Sequence, residues 1–468
     1  MQIGATPAGV SIMFSLHRTR RRARGRRLDL GWRGAAQAAL LLPLLSAQAQ
    51  TSLARGPLSV RDAVRAAVER AASPAAADAT ARAAREMAVA AAQRPDPVLR
   101  LSLDNLPVDG PDRFSTTRDF MTMRSVALMQ MFTRVDKRRS RAERFEREAE
   151  AARAERRVRV AAVQRDAAVA WFERRAAEQR LILLQAQRDE ARLQVEAVEA
   201  ALRGGRGSSA DAIAAHDALA QFDQALLSAG AEVANTRRML ARWTRGADEQ
   251  PLAEAPALAR HAFVAHPVAD RLAHHPDLVQ LSAREATATA EAAVARAERE
   301  PDWSAELMFS QRGSRYSNMV SVAVSLPLPW DRPQRQDREL AARLAQAEAL
   351  RAEREELARE HLAETEGWLD AWRAGLARLA LIDRERMPLA RQRIAAALGA
   401  YRGGSVPLAT VLEARRADLA LRMERIDVEL ETARLWARLE FLIPDPDNSP
   451  QANAAPPADA PTPAPRKE

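Results

Sequence analysis

Between Thr133 and Leu202 the chain runs for 70 residues without proline or glycine. At 1.5 Å per residue a helix of that length reaches ~105 Å, more than a compact domain can use. Small apolar positions (Ala149, Ala152, Val160, Ala167, Val195, Ala201) recur among the charges. The run therefore reads as a helix that lies close against other helices while its remaining faces stay in water. It stops at Gly204 and Gly205, and a return helix is expected from about Ser209 to Arg245. Glycine permits the positive backbone angles that let a helix end and reverse. The device recurs 199 positions later: a second long run ends at Tyr401-Arg402, Gly403 and Gly404 follow, and a closing helix is expected over about 406–442. One helical hairpin occurs twice, and a repeat of long period governs every other assignment.

The same preparation precedes each hairpin. The first repeat, 50–245, opens on Ser59 with Asp62 three residues on, a capping box. Val60, Ala63, Val64, Ala67 and Val68 then keep helical spacing, and Gln93-Arg94-Pro95-Asp96-Pro97 stops the run. The period switches to two: Leu99, Leu101 and Leu103 alternate with Arg100, Ser102 and Asp104. Strands are expected at about 98–104 and 121–132, followed by the hairpin 133–245. A connector spans 246–275. The second repeat, 276–443, has a helix to Glu300, strands at about 303–310 and 319–328, and a hairpin over about 333–442 in which Pro388 should kink or break the helix. The fold class is mixed α/β and mostly α: a duplicated helix-strand-strand-helix plan in a membrane protein.

Charge and composition narrow the function. Residues 1–49 carry eight arginines and one acid, so the leader supplies +7 of the +9 net charge. The high pI is then no argument for nucleic acid. Basic residues 18–27, the apolar stretch 35–45 and Ala47-Gln48-Ala49 have the layout of a signal peptide, 1–49. Cysteine is absent, so disulfides, thiolate metal sites and lipidation at a cysteine are excluded. The stretch 444–468 is rich in proline and alanine and is expected to be disordered.

No later segment reads as a membrane-spanning helix, so any spanning part must be made of strands. Four strands cannot close a barrel, since the smallest bacterial examples have about eight. Copies of the chain must share one. Arg100, Asp104 and Glu306 would face a wet lumen, and Leu99, Leu101, Leu307 and Val322 would face lipid. Trp303, Trp330, Phe120, Phe132 and Tyr316 lie at strand ends or in loops, where interfacial aromatics sit. The rival reading is a soluble coiled-coil scaffold carrying a sheet insert, or a periplasmic adaptor, which would have one hairpin rather than two.

With the duplicated plan, the strand exits Gln130-Met131-Phe132 and Leu326-Pro327-Leu328, and the motif Tyr401-Arg402-Gly403-Gly404 with Val411-Leu412-Glu413-Ala414, the chain resembles the TolC-type outer-membrane efflux proteins over nearly all of 58–443. The resemblance implies a homotrimer with a twelve-stranded barrel in the outer membrane and a tunnel of helices in the periplasm. It implies a periplasmic adaptor and an inner-membrane pump of the resistance-nodulation-division type as partners, and no enzymatic activity. It also implies a gate bond between Tyr401 and Asp211, and an acidic ring at the entrance from Glu413. Val406 stands where an arginine adds to the lock in TolC proper, and Thr410 occupies the other acidic position. The run Asp136-Lys137-Arg138-Arg139-Ser140-Arg141 resembles a segment of the heavy-metal branch, with Asp for its usual Gly, and points to a metal-ion cargo; drug efflux and type I protein secretion are the alternatives.

Three other clusters carry less. Met121, Met123, Met129 and Met131 are expected on one strand face, where thioethers suit Cu(I) but Met is chiefly a packing residue. His266, His274 and His275 have no spacing that specifies a closed zinc site. Gly204-Gly205-Arg206-Gly207 lacks the strand context of a phosphate loop. No cofactor is expected, and no nucleic-acid partner.

Overall fold

The computed structural model describes residues 56–205, 207–244, 246, 249–260 and 268–444. The expected leader, His266 and the tail from 445 onward lie outside the described residues. The capping box forms, with the Asp62 N–H donating to Ser59 Oγ at 3.1 Å. The first helical run is two helices, α1 (Val60–Arg70) and α2 (Ala72–Ala92), divided at Ala71, whose ψ is 127°. Pro74 explains the division. It has no N–H to return to the Arg70 carbonyl, and it is tolerated only in a first turn, which is where α2 holds it.

The strands are β1 (Val98–Asp104), β2 (Met123–Phe132), β3 (Trp303–Gln311) and β4 (Met319–Ser325). β2 begins two residues later than its alternation suggests because the Met121 and Thr122 N–H groups donate to Asp119 Oδ1, at 2.8 and 3.1 Å, and cannot join a ladder. β4 ends at Ser325, ahead of Pro327 and Pro329, which have no N–H to contribute. All four strands form one antiparallel sheet in the order β1-β2-β3-β4. The two repeats thus meet at the β2–β3 seam, where Val126 faces Phe309 and Phe132 faces Trp303.

α3 (Val135–Arg203) is an uninterrupted α-helix of 69 residues, and α4 (Ser209–Ala241) returns along it. After the short α5 (Val268–Leu272) comes α6 (Pro276–Glu298), started by Pro276 at its first position. The second hairpin consists of α7 (Gln336–Leu381), a π-helical turn (Ile382–Arg386), α8 (Met387–Arg402) and α9 (Leu408–Glu440). Pro388 neither breaks this helix nor ends it. The Met387 N–H donates five residues back, to the Ile382 carbonyl, and this wider turn takes up the place where a proline ring meets the carbonyl four residues before it.

The few aromatic residues are concentrated rather than scattered. Trp171 is fully buried, edge-on to Phe172 at 5.2 Å, and Phe172 is edge-on to Trp436 at 5.9 Å. Three indole N–H groups donate to loop carbonyls: Trp171 to Leu58 (2.9 Å), Trp372 to Leu258 (3.1 Å) and Trp436 to Arg260 (3.2 Å). Buried indoles need such partners, so the groups that make the core pin the segment before α1 to α3 and the irregular connector to α7 and α9. Among the described residues no helix is long and apolar enough to cross a membrane.

Candidate functional site: a one-sided sheet and two hairpin tips

Strand register assigns every sheet residue to a face. One face carries Leu99, Leu101, Val126, Leu128, Leu307, Phe309, Val320, Val322 and Val324. All are exposed, Leu101 at 72 % and Val322 at 73 %. A monomer in water does not present so continuous an apolar patch. The other face carries Arg100, Asp104, Ser125, Glu306, Ser310 and Ser321. Arg100 pairs with Glu306, and Ser125 hydrogen-bonds both Asp104 and Ser310 at 2.9 Å. Met123, Met129 and Met131 lie on this polar face, Met129 directly opposite Glu306, whereas Met121 precedes the strand. The expectation that four methionines share a face is corrected to three of them.

The ten residues of β2 span ~34 Å, and a strand tilted by ~45° then covers about the 25 Å apolar band of an outer-membrane barrel. Phe132 stacks on Trp303 at 4.1 Å at one end of the sheet, and Trp330 beyond β4 is exposed. Phe120 and Tyr316 are exposed in the loops at the other end. Below the sheet the basic run after β2 ties elements together: Lys137 Nζ, buried, lies 3.1 Å from Asp302, and Arg141 lies 3.0 Å from Glu298. These contacts give the run a structural task at the junction of sheet and helices.

At the far end both hairpins turn on the residues the sequence singles out. Gly205 and Gly404 each have φ +70°, with Gly204 and Gly403 as the helix caps. In the second hairpin Gly404 N–H reaches the Tyr401 carbonyl and Ser405 N–H the Ala400 carbonyl, both at 3.0 Å, the paired bonds of a Schellman turn. The tips pack on one another through Val195, Val198, Ala215, Leu408 and Val411, with Tyr401 against this cluster. Asp211 sits in the first turn of α4, which Ser208 caps by accepting from the Ala210 N–H. Among the described residues no hydrogen bond joins Tyr401 to Asp211 within the protomer. Glu413 is exposed, 3.5 Å from Arg393.

The contacts that do join the hairpins were not singled out in the sequence. Arg415 lies 2.8 Å from Glu190 and donates to Gln194 Oε1 at 3.2 Å. Farther up, Arg180 reaches Asp427 at 2.5 Å and Arg434 reaches Glu173 at 2.6 Å. Each pair links α3 to α9. Three charged residues on each of two separate helices are the trace they leave in the sequence, and charge is too frequent here for that trace to stand out.

The chain thus combines a four-stranded antiparallel sheet that has an exposed apolar face with two paired helical hairpins. Residues 268–443 match the family model described as outer membrane efflux protein. The fold is that of the outer-membrane channel OprN (TM-score 0.69, 21% identity, 82% of this chain and 89% of that one). It is also that of VceC from Vibrio cholerae (TM-score 0.65, 18% identity, 82% and 95%) and of CusC (TM-score 0.65, 17% identity, 82% and 91%). No curated protein matched the chain.

Proposed function

We propose that three copies of this chain close a twelve-stranded barrel in the outer membrane and that the hairpins form a periplasmic exit duct, docked to an adaptor and an inner-membrane pump. The observation that carries this reading is the sheet: one face predominantly apolar and exposed, its polar residues Arg124, Gln130 and Gln311 lying toward the strand ends, and the outer edges of β1 and β4 without a strand neighbour among the described residues. Open edges in lipid leave backbone groups unpaired; pairing β4 of one copy with β1 of the next removes them. Leu101→Lys and Val322→Lys, on the apolar face, should each cost ~2–4 kcal/mol of membrane stability and remove trimers from outer-membrane fractions. Ser321→Lys, on the polar face, should leave them. Equal loss from both faces would refute the barrel.

The hairpin tips are then the gate, biased by the polar pairs between helices. Arg415 with Glu190 and Gln194 holds it shut, and Tyr401 with Asp211 adds to the lock in the assembled tunnel. Arg415→Ala and Tyr401→Phe with Asp211→Ala should raise conductance in planar bilayers, the first more than the second. Unchanged conductance in both variants would place the gate elsewhere. For the cargo, metal cations draw support from the resemblance of the 136–141 run to the heavy-metal branch, from Glu413 at the tip and from Met129 and Glu306 on the polar face. Deletion of the gene should sensitise cells to zinc, cadmium or copper more than to drugs; the reverse order would assign the duct to drug efflux.

A further inference from the structure

Of the three connector histidines, His266 lies outside the described residues, His274 is exposed and His275 is buried. His275 meets a histidine 86 positions away. Its ring lies 4.2 Å from that of His361 on α7, and Asp277, in the first turn of α6, lies between them. His361 Nε2 is 3.5 Å from Asp277 Oδ2, and His275 Nδ1 is 3.7 Å from the same oxygen. All three donor atoms lie within 4.8 Å of one another. Tetrahedral zinc with bonds of ~2.0–2.1 Å holds its ligand atoms ~3.3 Å apart. Two edges of the triangle are therefore near coordination distance before any ion is considered.

We propose that His275, Asp277 and His361 form a binding site for a borderline divalent cation of the Zn2+ type, clamping the start of α6 to α7. The second carboxylate around the cluster supports this. Glu364 Oε2 lies 3.6 Å from His361 Nδ1, on the side from which a carboxylate accepts from Nδ1–H and leaves the Nε2 lone pair for a cation held between it and Asp277. A carboxylate behind a histidine is the usual support of a ligating ring. His361 Nε2 is buried and has no properly aligned hydrogen-bond partner. Burial, followed by the charge of His361, pushes His275 down to about 4, so its ring is neutral at neutral pH and free to ligate. Coordination at His275 Nδ1 replaces the bond it accepts from the Asp277 N–H, now 3.2 Å. The ion supplies a stronger interaction in exchange.

The cluster opens on a cleft of about 570 Å³, which gives solvent a route to the fourth position. Two arginines line this cleft: Arg438 lies over the Trp368 ring, itself part of the lining, at 5.6 Å, and Arg165 donates to Asp166 at 3.2 Å while its charge also acts on Asp277. The site joins α6 and α7 far from both hairpin tips in sequence, and it stands on its own ligands whatever cargo the duct carries.

The test uses the full-length protein in detergent, purified without a polyhistidine tag and stripped with chelator. Titration with Zn2+ should give one ion per chain by calorimetry, and Co2+ should give the visible absorption of a low-coordinate nitrogen–oxygen site. His361→Gln, chosen to keep the helix, should abolish both while trimer size and circular dichroism stay unchanged. Glu364→Gln should weaken zinc ~10-fold or more. His216→Ala, at an exposed histidine paired with Glu199 on the first hairpin, should change nothing. Zinc uptake that is absent from the wild type, or that persists undiminished in His361→Gln, overturns the proposal.

Discussion

The two hairpins come from one repeated plan, and they are built differently. The first rises on α3 as a single α-helix and turns through a tip fixed at three points: Gly205 at positive φ, the Ser208 cap, and Gly207, where a Cβ would come within 2.7 Å of the Leu202 backbone nitrogen. The second climbs through a π turn, has no fully buried residue anywhere in α8, and starts its return helix at Pro407 with no side-chain cap. Its tip relies on the Schellman bonds and on Ser405 Oγ donating to the Ala400 carbonyl at 2.9 Å. At the π turn, two bidentate pairs reach α9: Asp383 with Arg425, and Arg386 with Glu424. The difference lies in the tips and at the π turn, since polar pairs cross both hairpins: Arg188 with Asp223 and Arg237 with Glu178 link α3 to α4 in the first.

Substitutions at matching positions should separate the arms. The largest effect is expected at Gly207→Val, which drives a branched side chain into the α3 backbone and should cost on the order of 2–3 kcal/mol. Val406→Gly, its counterpart in the second tip, should cost ~1 kcal/mol or less. Hydrogen exchange at residues 198–212 and 397–411 measures both, and equal losses would erase the distinction. Next, Ser208→Ala should loosen the first tip by ~1 kcal/mol, whereas Pro407→Ala removes no cap bond.

Acidification should act on the second arm. The Arg386 guanidinium, by hydrogen bonding and then by charge, holds the Glu424 carboxyl below its usual value. A depressed carboxylate contributes stability that is present above the ordinary glutamate range and lost as pH falls through the lowered value. Exchange at 382–386 should therefore quicken on acidification below that range, and Arg386→Ala should flatten the dependence. The smallest effect is expected from Pro388→Ala. It restores an N–H donor and should let the π turn relax toward an α-helix with a stability change under ~1 kcal/mol, read as a shift in amide protection across 382–388.

The element order was legible because periodicity is local. The switch from helical spacing to alternation at Leu99 and again at Trp303, and the glycine pairs at 204 and 403, each depend on neighbours within a few residues. The break at Ala71 was legible in principle, since Pro74 carries it, but the helical pattern around it masked the signal. The π turn was not legible. A proline in a helix announces a disturbance, and only the surrounding packing selects between a kink, an end and a wider turn.

What the amino-acid order alone determined is the set of parts: long helices, strands with one apolar face, turns that need glycine, and a strand count too small to seal a cylinder. These follow from spacing and from residue chemistry at short range. The tertiary structure decided which parts meet. It joined β2 to β3 across the repeats, pinned the connector to two tryptophans, set Arg415 against Glu190, and brought His361 to His275. Such pairings couple residues tens or hundreds of positions apart, and in a chain this rich in arginine and glutamate no local pattern says which charge will find which.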